Sequence, residues 1–183
     1  MFFNKNGIMN IDLFYSGGTD MLQQKMIEKM TAFYKGNKHD IAHFLKVYAW
    51  AQTIGKMEGL DDKTQLLTEL TAIVHDISCP LCREKYGSAD PKCQEKESEA
   101  LLKVFLEEFD LDEDIEEKII WNVSHHHTYT DVKGIDLQIL LEADYLVNAD
   151  ESQYPAESII KFRNNVFRTE SGKRLLNSIY TIE

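Results

Sequence analysis

From Thr19 onward nearly every segment repeats its apolar residues at three- and four-residue steps, and no stretch alternates strongly enough to make a strand. That pattern confines the chain to an all-α fold, because a strand would need every second side chain to face the core. Leu22, Met26, Met30 and Phe33 predict a first amphipathic helix ending near Gly36. A second begins around Asp40 and runs to about Glu58, with Gly59 as its stop. Asp61 or Asp62 caps a third that carries Leu66, Leu70, Ile73 and Ile77, and Pro80 prevents it from running on. Asp90-Pro91 opens another, with Leu101, Leu102, Phe105 and Phe109 along one face. Asp112 opens the next, whose Ile115, Ile119, Ile120 and Val123 lead into Ser124-His125-His126-His127-Thr128-Tyr129 and a polar turn ending at Gly134. A further helix runs through Asn148, and residues 155 to 180 supply two more amphipathic segments.

The 183 residues, 43% of them hydrophobic, suffice for one domain with a sizeable core, and no Gly/Ser-rich or Pro-rich stretch marks an internal linker. The expectation is a single helical domain over residues 1–183. No run of about 18 apolar residues is present, and the start Met1-Phe2-Phe3-Asn4-Lys5 soon turns polar, so no membrane span or signal peptide is expected and the cytoplasm is the default address. A formal charge of −11 repels phosphate backbones and argues against general nucleic-acid binding. A small anionic substrate would need local positive charge, from a metal or a few placed cations. Three cysteines in a chain without an export signal read as reduced thiols rather than a disulfide framework. Cys79-Pro80-Leu81-Cys82 with Cys93 could also hold zinc or form a redox switch, although no fourth ligand is evident.

Several ionisable residues stand where the helical period calls for something apolar. His43 shares a face with Val47, Trp50 and Ile54, at steps of four, three and four. Asp144 shares one with Leu137, Leu141 and Asn148. His75-Asp76 interrupts the apolar run Thr71-Ala72-Ile73-Val74 just before a helix break. A single histidine on an apolar face is usually a satisfied core residue. A buried carboxylate, however, demands a cation, a metal or several hydrogen bonds, and three such anomalies on three helices can neutralise one another. Imidazole nitrogens with carboxylate oxygens suit Fe, Mn, Co, Ni or Zn better than Ca or Mg. Two His and two Asp would leave coordination positions open for water and substrate.

The order His43, then Ala72-Ile73-Val74-His75-Asp76-Ile77, then Leu141-Glu142-Ala143-Asp144-Tyr145 resembles the HD-domain superfamily of metal-dependent phosphohydrolases. The resemblance spans roughly residues 39 to 150, leaving 151–183 as C-terminal helices. It implies a helical bundle in which His43, His75, Asp76 and Asp144 hold the metal and Asp76 also contacts the attacking water. The His125-His126-His127 turn lies about where two-metal members place further histidines. His127, before Thr128, matches best, with His126 next, as a ligand for a second metal or for the substrate phosphate. Those members carry one more His between the His-Asp pair and this turn, and residues 77 to 124 contain none. Gln94, Glu95 or Glu97 could stand in for it. Lys46 lies where relatives often carry Arg, and with Arg83 it is a candidate contact for a phosphate.

The implied activity is hydrolysis of a phosphate ester or anhydride in a small nucleotide-like molecule. The ion would polarise a phosphoryl oxygen and acidify a water, Asp76 would orient or deprotonate that water, and Lys46 with the histidine turn would neutralise developing charge. Two other readings fit the same residues. One is a regulatory HD module that binds a nucleotide or metal without turnover. The other is a di-iron enzyme that oxidises carbon substrates. Both a monomer and a homodimer are compatible with the sequence, as are an ordered cover and a flexible arm for residues 1 to 18.

Overall fold

The computed structural model describes residues 17–182, with side chains from Met21 onward, so most of the 1–18 segment lies outside the described residues. Within them the secondary structure is helical and contains no strand. The helices are α1 (Gly17–Phe33), α2 (Lys38–Glu58), α3 (Asp62–Val74), α4 (Cys79–Tyr86), α5 (Pro91–Leu106), α6 (Glu113–His125), α7 (Ile135–Glu151), α8 (Ala156–Val166) and α9 (Glu170–Tyr180). Among the described residues no helix is long and apolar enough to cross a membrane.

The helix ends follow capping chemistry. Asn37 accepts a hydrogen bond from Asp40 N, Asp61 from Thr64 N, Asp90 from Cys93 N and Thr169 from Gly172 N, each satisfying a backbone donor that a first turn leaves orphaned. Gly59, at φ 73°, closes α2 in the left-handed conformation that costs glycine least.

Two boundaries and one buried position differ from the sequence reading. Helix α3 ends at Val74, so Ile77 lies beyond it in a turn. Pro80 is the cause only indirectly, because it sits in the first turn of α4, where its missing N–H would have no intrahelical partner in any case. Helix α7 runs one turn past the Asn148 limit, to Glu151. At the end of α1, Phe33 is exposed while Tyr34 is buried.

Helix α2 packs against α3 and α7, α3 against α1, α6 and α7, and α5 against α6. The buried side chains form two apolar clusters. One joins Val47, Ala51 and Ile54 of α2 to Leu140, Ala143 and Val147 of α7, and to Phe167 and Leu176 beyond. The other joins Met26 and Met30 of α1 to Leu70 and Ile73 of α3, Leu102 of α5 and Ile119 of α6. Helices α2 and α3 serve both, since Phe44 and Ile73 belong to the second cluster while Val47 and Ala72 belong to the first.

The cysteines correct the sequence reading. Cys82 on α4 and Cys93 on α5 form a disulfide with their Cα atoms 6.0 Å apart, and Cys79 is free and buried. The turn through Gly87 folds the short α4 back onto α5 and brings the two sulfurs together. An odd count therefore accommodates one pair, and no thiolate set for zinc is left.

Candidate metal centre

His43 sits in the second turn of α2, His75 is the residue that terminates α3, and Asp144 lies midway along α7. All three are buried. The arrangement follows from the packing of α2 against α3 and α7, which turns the anomalous polar position of each helix toward the same point.

The ring tautomers are fixed by what the other nitrogens touch. His75 Nδ1 is 2.8 Å from the Ala72 carbonyl and His126 Nδ1 is 2.7 Å from the Val123 carbonyl. A carbonyl can only accept, so both Nδ1 atoms donate and both Nε2 atoms carry the lone pair when the ring is neutral. His43 Nδ1 donates in the same way to Glu151 Oε2 at 2.9 Å.

The freed Nε2 atoms converge. Those of His43 and His75 are 3.3 Å apart. His43 Nε2 lies 3.2 Å from Asp144 Oδ1 and 3.5 Å from Asp76 Oδ2, and His75 Nε2 lies 3.6 Å from each of those oxygens. Ligand atoms of His43, His75 and Asp144 all fall within 4.8 Å of one another. Neighbouring ligands bound at about 2.0–2.2 Å from one ion stand roughly 3 to 3.5 Å apart, so the observed spacings fit a transition-metal ion. Two lone pairs and two carboxylates facing one another in a buried site also require a cation, either a proton or a metal.

Protonation answers part of that demand in the metal-free protein. Burial opposes charge on His43, but its bond to Asp144 and the charges of Asp76 and Asp144 outweigh this and hold its pKa up to about 9. Burial likewise works to raise Asp76 and Asp144, yet the surrounding histidines hold both carboxyls well below the usual carboxylate range.

Asp76 differs from Asp144 in facing a cavity. Its carboxylate is more exposed than that of Asp144, and it lines a polar space of about 230 Å³ with His39, His43, Arg83 and Glu151. The Tyr34 hydroxyl donates to the Asp76 carbonyl and fixes the backbone just after α3. His126 Nε2 is 3.5 Å from Asp76 Oδ1 and otherwise has no partner, an orphaned buried nitrogen pointing at the same centre.

The remaining candidates divide. In the histidine turn it is His126, rather than the favoured His127, that reaches Asp76. The His127 ring lies against that of His126 at 3.9 Å, and burial together with His126 pushes its pKa down to about 4. His125 turns away and stacks on Trp121 at 3.7 Å. Lys46 is bound at 3.0 Å to Glu151 rather than to a ligand, and Arg83 forks onto both oxygens of Asp40. Of the three stand-ins for the missing histidine, Gln94 is buried and lines the polar cavity, Glu95 is exposed, and Glu97 pairs with Lys85 and Tyr86.

Sequence reasoning missed Glu151, which orients His43, and Tyr34, which pins Asp76. Glu151 had a signal: Asp144, Asn148 and Glu151 follow one another at steps of four and three, on one helical face.

A family model described as the HD domain matches residues 40–149, more than half of the chain. The fold is similar to the crystal structure of a predicted HD superfamily hydrolase from an uncultured Thermotogales bacterium, with a TM-score of 0.56 and 18% identity over 86% of this chain and 84% of that one. No curated protein matched the sequence.

Proposed function

Since the chain belongs to the HD-domain family, we propose that it is a metal-dependent hydrolase acting on a phosphate ester or anhydride of a small nucleotide-like molecule. His43, His75, Asp76 and Asp144 would hold a divalent transition metal. The observation that carries this reading is the convergence of the His43 and His75 Nε2 atoms on the Asp76 and Asp144 carboxylates in a buried pocket, with a 3.3 Å gap between the two nitrogens. When bound, the ion supplies Lewis acidity toward a phosphoryl oxygen and an attacking water.

The chain's own residues divide the remaining work. Asp76 borders both the ligand cluster and the polar cavity, so it accepts the proton of a water approaching from that cavity. His126 Nε2, beside Asp76 Oδ1, shares that proton or meets a phosphoryl oxygen. Glu151 keeps His43 in the tautomer that offers Nε2. His126 is also the residue around which a second ion would be held.

One observation favours a second reading, a module that binds metal or nucleotide for regulation without turnover. Lys46 and Arg83, the cations expected to meet a phosphate, are each paired with a carboxylate. Both readings are tested by loading purified protein with Fe, Mn, Co, Ni or Zn, measuring metal content, and assaying phosphate release from nucleotides. Metal binding that disappears in a still-helical Asp144→Ala variant, together with release, supports hydrolysis. Metal binding without release from any phosphoester selects the regulatory module, and no metal at all sinks the hydrolase and the metal-binding form of the module.

A further inference from the structure

Two cavities border the ligand cluster, and their linings differ in kind. The polar one carries His39 and Arg83 next to Asp76. The other, about 320 Å³, reaches Asp144 and is walled by Tyr129, Tyr145, Tyr154 and Phe162. Asn148 lines both, and its side-chain amide donates to Asp144 Oδ1 at 2.8 Å. A group bound in the second cavity would thus lie against one of the proposed metal ligands.

The aromatic walls come from four parts of the chain. Tyr145 on α7 and Phe162 on α8 stack at 3.6 Å with planes 6° apart. Tyr129, from the turn after α6, meets the Phe162 ring edge-on at 5.1 Å, and Tyr154, between α7 and α8, stands 5.9 Å from Tyr145. Tyr129 and Tyr154 are 42% and 40% exposed, so they form the rim rather than the floor. Aromatic side chains in a core close up to crystal-like density. Here the Tyr145–Phe162 stack is packed in that way, while Tyr129 and Tyr154 leave ring surface facing the cavity and solvent.

Charge narrows the occupant. The cavity lining includes one carboxylate, Asp144, which the proposed ion would neutralise, and no cationic side chain, so apart from that ion it offers an anion no partner while its aromatic faces suit an uncharged ring. A volume at the lower end of the roughly 300–1,000 Å³ typical of ligand sites suits a ring and little more.

We propose that this cavity is the subsite for the leaving group and that it takes a nucleobase carried on a single phosphoester. The inference rests on the hydrolase reading for the position of the reacting phosphorus. In the reaction the water oxygen forms the new P–O bond and the P–O bond to the base-bearing alcohol breaks. One water proton ends on the departing oxygen, giving the nucleoside and inorganic phosphate.

The test uses metal-loaded full-length protein and two readouts. Calorimetric titration with adenosine, which has no phosphate to lose, compares wild type with Tyr129→Ala and Tyr154→Ala, each checked for helicity. Phosphate release by wild type compares adenosine 5′-monophosphate with ribose 5-phosphate. We expect adenosine to bind wild type and to bind each variant about 5- to 100-fold more weakly, the range of base–aromatic stacking. The base-bearing ester should also show the higher kcat/KM. Equal release from the two esters with no adenosine binding overturns the subsite and leaves the hydrolase reading standing. Adenosine binding that the variants weaken, with no release from either ester, keeps the nucleobase site but overturns its leaving-group role and removes phosphoester hydrolysis from the reading. Adenosine binding unchanged in both variants overturns the subsite.

Discussion

Glu151 Oε2 lies 2.9 Å from His43 Nδ1, while its other oxygen accepts from Lys46 Nζ at 3.0 Å. One carboxylate at the end of α7 therefore fixes the ring orientation of a proposed ligand on α2 and occupies the nearest lysine. Burial works against ionisation of Glu151, but its bonds to His43 and Lys46 prevail and hold the pKa below the usual value. Outer carboxylates of this kind typically contribute about 10- to 100-fold to metal affinity. Glu151→Ala is expected to weaken metal binding by about that factor with helicity intact, as read by competition with a coloured chelator. An unchanged affinity would show that packing alone orients His43.

Metal uptake should depend on pH. In the metal-free protein His43 is raised to about 9, so below that value an ion must displace its proton. The sign follows directly: affinity rises as pH rises through neutrality, by about tenfold per unit for one displaced proton, and levels off near pH 9. Calorimetry in buffers of different ionisation enthalpy would count the released proton, and a flat profile would argue against His43 as a ligand.

Asp76→Ala should abolish phosphate release while leaving a helical protein. It removes the carboxylate that faces both the polar cavity and His126, whereas both apolar clusters remain untouched. Circular dichroism and a phosphate assay on the metal-loaded variant check this. Retained turnover would eliminate Asp76 as the proton acceptor.

The Cys82–Cys93 disulfide gives a stoichiometric expectation. Denatured, unreduced protein should show one titratable thiol, that of Cys79, rather than three. In the folded state Cys79 should be unreactive, because burial and the neighbouring Asp76 charge push its thiol pKa well up. Replacing Cys82 and Cys93 together by Ser is expected to cost about 2 to 4 kcal/mol in unfolding free energy under oxidising conditions, the usual range for a native crosslink. Denaturant titration measures the loss.

Much of this architecture was legible because it rests on local rules. The caps at Asp61, Asp90 and Asp112 and the stop at Gly59 depend on residues within a turn of each helix end, and each stands where the sequence places it. His43, the His75-Asp76 pair and Asp144 were legible for the opposite reason, each breaking a local apolar pattern. What escaped depends on partners far along the chain. Tyr34 bonds to Asp76 across 42 positions and Glu151 to His43 across 108, and only Glu151 leaves a local trace, the helical face it shares with Asp144. Helix α4 escaped because a proline can either stop a helix or open one in its first turn, and at Pro80 the choice is decided by where α3 ends rather than by the proline.

Phe44 and Val47 on α2, like Ile73 and Ala72 on α3, face different apolar clusters. His43 and His75 belong to these same two helices, and Asp144 reaches them from α7. The ligand cluster therefore lies where the two apolar halves of the molecule meet, and units that bury separate apolar clusters tend to open as separate foldons. An ion held there would tie the halves into a single cooperative transition, so hydrogen exchange in α2 and α3 should slow more on metal loading than exchange in α5 or α9.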